Sequence, residues 1–226
     1  MPRIAIFDLD RTLTTRGVFM PFALHLAARR PRRLVALPEL LLAGALYRLK
    51  LRERDAVKAL IWRRMLAGLS RDAAMALGDA YGRRWAATAL RRQAADVVAR
   101  HRQAGDRLLL ATAAMDLVAE PFGQALGFDE VVATRTGWTV DDQVADAFDG
   151  PNCYGEEKLR RVLEALGAEA DPARAVAYSD HVTDLPLLAW AGEGVAVNPH
   201  PPLAEAAAAH GLEIQDWDVA PGGGQR

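Results

Sequence analysis

Ile4-Ala5-Ile6-Phe7 runs apolar without a break and then stops at a carboxylate, Asp8. With β-branched residues at two of its four positions, the run reads as a strand covered on both faces, the kind found in parallel sheets. Asp8 then stands at the strand's C-terminal end, where open α/β sheets bind their ligands. While the chain stays extended, residues two apart share a side, so Asp10 is expected on the same side as Asp8. Two carboxylates in so small a volume repel each other unless one is protonated or a cation lies between them. Taken alone, the segment fits a solvated loop with two aspartates equally well.

The rest of the chain extends the pattern. Between Arg16 and Arg107 apolar residues recur at helical spacing, as in Val18, Phe22 and Leu26 or Val57, Leu60 and Ile61, which predicts four or five helices and no strand. Pro38 suits a first helical turn, Ser70 with Asp72 marks a helix start, and Gly68 and Gly105 suit helix ends. Strands are then expected at 107–112, 130–134, 175–178 and 194–197. They alternate with helices from Met115 to Gly127, from Glu156 to Leu166, after Thr183 and from Leu203 to His210, with a hairpin or irregular loop over 138–153. This alternation predicts a doubly wound parallel sheet, with the early helices inserted between its first two strands. The expected division is a core of residues 1–15 and 106–219, a helical cap of 16–105, and a frayed tail of 220–226.

Charge separates along the same division. Residues 16–107 carry 20 Lys+Arg against 7 Asp+Glu, or +13, and the remainder 8 against 22, or −14, so the overall −1 gives no reason to expect nucleic acid. The longest stretch without a basic residue in the first half, Leu34 to Tyr47, contains Glu39 and Pro38 and is shorter than the roughly 20 residues that cross a bilayer. The lone cysteine, Cys153, forms no internal disulfide, and nothing before Ile4 resembles a signal peptide, so a cytoplasmic setting is expected.

Each expected strand end offers a polar residue. The second ends at Thr112, with Ala113 and Ala114 expected to open a helix whose amides suit an anion. Lys158 begins a helix, and the fourth strand ends at Ser179-Asp180, with Asp184 four residues on. Singly, Thr112 fits a helix cap, Lys158 a solvated lysine and Asp184 a helix-start carboxylate. Together, DLDRT at 8–12, Thr112, Lys158 and DHVTD at 180–184 resemble, in order, the four motifs of the haloacid dehalogenase-like (HAD) hydrolases. The resemblance extends over residues 3 to 217 and is closest to the phosphoserine-phosphatase-like branch, whose helical cap lies between motifs one and two.

The resemblance implies a phosphatase. Asp8 would attack phosphorus to form an aspartyl-phosphate, and Asp10 would protonate the leaving oxygen and then activate water. Mg2+ would bind Asp8, the Asp10 carbonyl and Asp180. Thr112, Ala113 and Lys158 would hold the phosphoryl oxygens, Thr12 would fix the loop, and Asp184 would orient Lys158 or a metal-bound water. A phosphomutase or other phosphotransferase would use the same intermediate, and a non-catalytic phospho-ligand module would keep only the site. A dehalogenase would have no use for Asp10, and a P-type ATPase would need membrane helices.

The chain departs from that branch at Gly17, where phosphoserine phosphatases carry an acid that recognises the substrate amine, so free phosphoserine is disfavoured. Arg11 and His181 are candidate substrate-facing residues, with a partly exposed structural histidine as the plainer reading of His181. The expected substrate is a small phosphorylated metabolite or lipid-like phosphate. The cap arginines, with the apolar run Leu37 to Leu46 between their clusters, fit a solvated face, an anionic substrate, an anionic membrane surface or a homodimer.

Overall fold

Six parallel strands among the described residues order the chain. The structure, a computed structural model, describes residues 2–51 and 53–219; Met1, Arg52 and the 220–226 tail lie outside them. Strand β1 (Ile4–Phe7) is central and wholly buried. On one side lie β2 (Arg107–Met115) and β3 (Glu130–Thr134), and on the other β4 (Ala175–Ser179), β5 (Glu193–Val197) and β6 (Glu213–Gln215), giving the order β3-β2-β1-β4-β5-β6. Ile4 pairs with Arg107 on one side and Ala175 on the other, so the sheet winds outward in two directions from β1. The crevice at that reversal, between the ends of β1 and β4, is where such sheets hold ligands.

Among the described residues, five α-helices occupy the stretch between β1 and β2: α1 (Phe19–Arg29), α2 (Leu37–Arg48), α3 (Arg54–Met65), α4 (Arg71–Thr88) and α5 (Ala94–Gln103). Pro38 stands in the first turn of α2, while Gly68 and Gly105 take φ +76°, a conformation open to glycine at little cost. The sheet helices are α6 (Asp116–Leu126), α7 (Glu156–Leu166), α8 (Leu185–Trp190) and α9 (Pro201–Ala209). Ala5, Phe7 and Leu110 share one apolar cluster with Val97, Phe122, Trp85, Trp62 and Phe22, which runs unbroken from the sheet into the inserted helices. The opposite sheet face, with Ile4, Ile6 and Leu109, packs on Val162, Leu187 and Leu203 of α7, α8 and α9.

Helix α4 approaches α6 at backbone distance. A Cβ on Gly78 would lie 2.1 Å from the Leu117 carbonyl oxygen, and one on Gly82 2.5 Å from that of Val118. Pro121, inside α6, has no N–H to give the Leu117 carbonyl four residues back, which leaves that oxygen open where Gly78 arrives. The 138–153 loop turns through an antiparallel bridge between Trp138 and Val144, and it meets the inserted helices where Trp62 Nε1 donates to the Ala145 carbonyl (2.9 Å).

Three expectations need correction. Strand β2 continues through Met115, so Ala113 and Ala114 do not open α6: the pairing to β3 shifts register after Ala111, and Thr112 Oγ1 accepts the Ala114 N–H at 3.0 Å. Beyond Asp8 the chain does not stay extended; it turns tightly over Leu9–Leu13, with Arg11 at φ 66°. Strand β6 was not expected, because three edge residues with Ile214 more than half exposed carry no apolar run. Among the described residues, no helix is long and apolar enough to cross a membrane.

Candidate active site

Asp8 continues the β1–β4 pairing by one bond, its N–H donating to the Tyr178 carbonyl at 2.9 Å, and the residue is buried at the crevice, only 6 % exposed. Lys158 comes from the first turn of α7. The residue is 1 % exposed, and its Nζ donates to Asp8 Oδ1 at 2.8 Å and to Asp184 Oδ2 at 2.6 Å. Ser179 Oγ donates to the same Asp184 oxygen at 2.7 Å, whereas Asp184 Oδ1 is buried without a partner.

Thr12 ties the two strand ends together. Its Oγ1 accepts the Asp180 N–H at 2.9 Å and lies 3.3 Å from Asp180 Oδ1, so the turn after β1 is pinned to the end of β4. Asp10 faces the start of α1, its Oδ1 accepting the Val18 N–H at 2.8 Å. A Cβ on Gly17 would lie 3.5 Å from Asp10 Oδ2, so an acidic side chain at position 17 would start out against that carboxylate. The left-handed turn at Arg11 is held by Arg91, whose Nε and Nη2 both donate to the Arg11 carbonyl (2.9 and 2.7 Å).

Burial governs the charges here. It raises the Asp8 carboxyl most, Lys158 draws it back, Asp184 and Asp180 raise it again, and the balance is about 8. Asp180 is pushed up to about 6, again mainly by burial, with His200 opposing and Asp184 assisting. Burial acts to lower Lys158, but Asp184 and Asp8 outweigh it and hold the amine above its ordinary range. Three buried carboxylates therefore face one ammonium.

The structure brings Asp8, Lys158, Asp184, Ser179, Asp180 and Thr12 into one connected set. Thr112 is buried, and its hydroxyl is engaged by Ala114. Ala113 meets a residue that sequence reasoning missed: Lys58 of α3 reaches out of the inserted helices to donate to the Ala113 carbonyl at 2.7 Å and to Asn152, with its ammonium 5.0 Å from the Phe148 ring centre. In the sequence Lys58 was one cation in a basic run. His200 was likewise missed. Its Nε2 lies 2.8 Å from Arg11 Nη1 and 3.7 Å from Asp180 Oδ2, and its ring meets that of His181 at 5.6 Å. Arg11 and His181 thus share a rim, with His181 Nδ1 also 2.9 Å from Thr183 Oγ1.

These features define a class: doubly wound α/β proteins with a carboxylate and lysine centre at the switch point of the sheet. The chain belongs to the haloacid dehalogenase-like hydrolase family, whose model matches residues 5–189. It is similar to protein CicA of Caulobacter vibrioides, 31% identical over 192 residues, covering 85% of this chain and 84% of that one. It is also similar to a phosphoserine phosphatase of Halobacterium salinarum, 32% identical over 203 residues, covering 88% and 87%. Among solved structures, a Bordetella pertussis protein of unknown function superimposes with a TM-score of 0.79 at 27% identity, over 96% of this chain and 99% of that chain. The protein is an enzyme of the HAD phosphatase type.

Proposed function

We propose that this protein is a magnesium-dependent phosphomonoesterase that acts through an aspartyl-phosphate on Asp8, with a small phosphorylated metabolite or lipid-like phosphate as substrate. The observation that carries this reading is the buried Asp8, bonded to Lys158 at the switch point while Lys158 is anchored by Asp184.

The residues suit a cation. Asp8 and Asp180 are held above the ordinary carboxylate range, one ammonium does not balance three buried acids, and Asp184 Oδ1 lacks the donor that a metal-bound water supplies. Mg2+ would be held by Asp8, the Asp10 carbonyl and Asp180, an all-oxygen set. Two of those three ligands are side chains; among the described residues no group of three or more His, Cys, Asp or Glu that could hold a metal ion gathers. When bound, the ion neutralises phosphoryl charge and favours ionised Asp8.

In the first step a carboxylate oxygen of Asp8 attacks phosphorus in line, the phosphorus–ester oxygen bond breaks, and Asp10 gives its proton to the departing alkoxide. Lys158 and Thr112 hold the transferring oxygens. Asp10, now ionised, takes a proton from a water that attacks the aspartyl-phosphate, and inorganic phosphate leaves with Asp8 restored. Residues 16–105 serve as a cap on the core of 1–15 and 106–219, and Lys58 carries a positive charge from the cap to the Ala113 carbonyl near the end of β2. Gly17 speaks against free phosphoserine, because position 17 supplies no carboxylate of its own for the substrate amine.

Phosphate release from an aryl phosphate with Mg2+ tests the proposal. Asp8→Asn should lower turnover by more than about a thousandfold while keeping the parent's melting temperature or exceeding it. A variant that turns over as fast as the parent refutes Asp8 as the attacking group.

A further inference from the structure

Helix α2 is apolar around its whole circumference yet stands in the open. Its 12 residues include only Glu39 and Arg48 as charged groups, and only Ala43 is buried; Leu41 and Leu42 are 65 % and 60 % exposed. A helix of that composition is ordinarily enclosed. The segments on either side behave alike, with Val35 85 % exposed before it and Leu51 71 % after it. Of the fifteen large hydrophobic residues that stand exposed among the described residues, ten fall between Met20 and Leu51, a concentration that scattered surface leucines do not produce.

Charge indicates what covers this surface. Exposed Arg32 precedes α2, and exposed Arg48 and Lys50 end it; Glu39 is the only acid between residues 20 and 51, and it is taken by Arg64 at 2.6 Å. A second copy docked face to face would set these cations against their own counterparts. An anionic lipid surface offers both matches at once: acyl chains for the leucines and headgroup phosphates for the arginines. At 1.5 Å per residue α2 is about 18 Å long, too short to span a hydrocarbon core and long enough to lie along one. We infer that residues 20–51 form a docking surface for an anionic bilayer, with α2 lying in the plane of the interface. Helix α2 packs on α3, the helix that carries Lys58 to Ala113, so the docked surface lies one helix away from the candidate active site.

Sedimentation of the whole chain with vesicles tests this without turnover, so its failure and the failure of the phosphatase reading are separable. The protein should pellet with phosphatidylglycerol vesicles, stay in the supernatant with phosphatidylcholine alone, and be released by added salt. Leu41→Ser combined with Leu42→Ser should weaken vesicle partitioning roughly tenfold or more. Arg32→Glu combined with Lys50→Glu should remove the preference for the anionic lipid. Both double variants should keep the parent's melting temperature and aryl phosphate turnover. A parent that ignores phosphatidylglycerol vesicles, or a leucine variant that binds them as the parent does, overturns the inference. So does a lipid-free dimer that the leucine variant converts to monomers, because the surface would then join two copies of this chain.

Discussion

Replacing Gly78 by alanine sets helix propensity against packing, and the structure says which wins. In the middle of α4 the exchange should favour the helix by about 1 kcal/mol, since alanine loses less backbone freedom than glycine. The added Cβ would stand 2.1 Å from the Leu117 carbonyl oxygen and 2.8 Å from its carbon, against an ordinary carbon–oxygen approach of about 3.3 Å or more. Helix α4 would have to retreat from α6 by about 1 Å, and both partners at the contact are backbone, which cannot rotate aside. Overpacking of this kind costs about 1–3 kcal/mol and sometimes more; with the upper end apt for a backbone overlap, the net loss is about 2 kcal/mol. For a chain of this size that lowers the melting temperature by about 4–8 °C. Gly44 supplies the control: it sits inside α2 with nothing within 4 Å of its Cβ position, so Gly44→Ala should raise the melting temperature by about 2–4 °C. Circular dichroism melts of the two variants and the parent decide the matter. If Gly78→Ala melts as high as Gly44→Ala, the backbone contact between α4 and α6 does not exist as described.

The remaining predictions concern the site. Lys158→Met leaves Asp8 and Asp184 buried without their cation and should lower stability by about 3–5 kcal/mol in denaturant titrations while abolishing phosphate release. Lys58→Met should raise KM for aryl phosphates more than it lowers kcat, because Lys58 meets the Ala113 carbonyl rather than the Asp8 group; equal falls in kcat and kcat/KM would argue otherwise. In the metal-free protein Asp8 and Asp180 hold protons up to about pH 8 and 6, above their unfolded value of 3.8, so the folded state binds more protons than the unfolded one and loses stability as pH rises from about 4 to 8. Mg2+ replaces those protons, so its thermal stabilisation should be larger at pH 8 than at pH 6, and the opposite order refutes the assigned ligands. Cys153 is fully buried, with burial pushing its thiol up to about 11, so iodoacetamide at pH 8 should label it only after unfolding.

Fold and site were legible to different depths. The apolar run Ile4–Phe7 and its return at Leu108–Ala111, Val131–Ala133, Ala175–Tyr178 and Val195–Val197 disclosed five of the six strands, because a strand buried on both faces has no freedom to be polar. Strand β6 escaped because an edge strand of three residues satisfies its backbone with little burial, and composition does not record hydrogen bonds. The continuation of β2 to Met115 escaped for a related reason. Thr112 can turn its hydroxyl to the Ala114 amide, a local bond that competes with helix initiation and is invisible in the residue types alone.

The set around Asp8 was readable because each member is fixed by chain path: an acid one residue past β1, an acid one residue past β4, a lysine in the first turn of α7. Lys58, His200 and Arg91 are not fixed in that way. Lys58 lies 50 positions after Asp8 and His200 lies 20 after Asp180, and each arrives through the packing of whole helices or loops. In the sequence a cation that spans cap and core looks the same as one that faces water. The separation also sorts the chemistry. Asp8 and Asp180 are set one residue past strand ends, where a shift of one residue would turn them to the other face. Lys58, Arg11 and His200 come instead from α3, from the left-handed turn and from the loop before α9, where change leaves the sheet untouched. Gly17 belongs with this second group: it leaves room beside Asp10 without altering any strand. A family's reaction can therefore persist through its strand ends while its substrate drifts, and for this chain the reaction class was legible where the substrate was not.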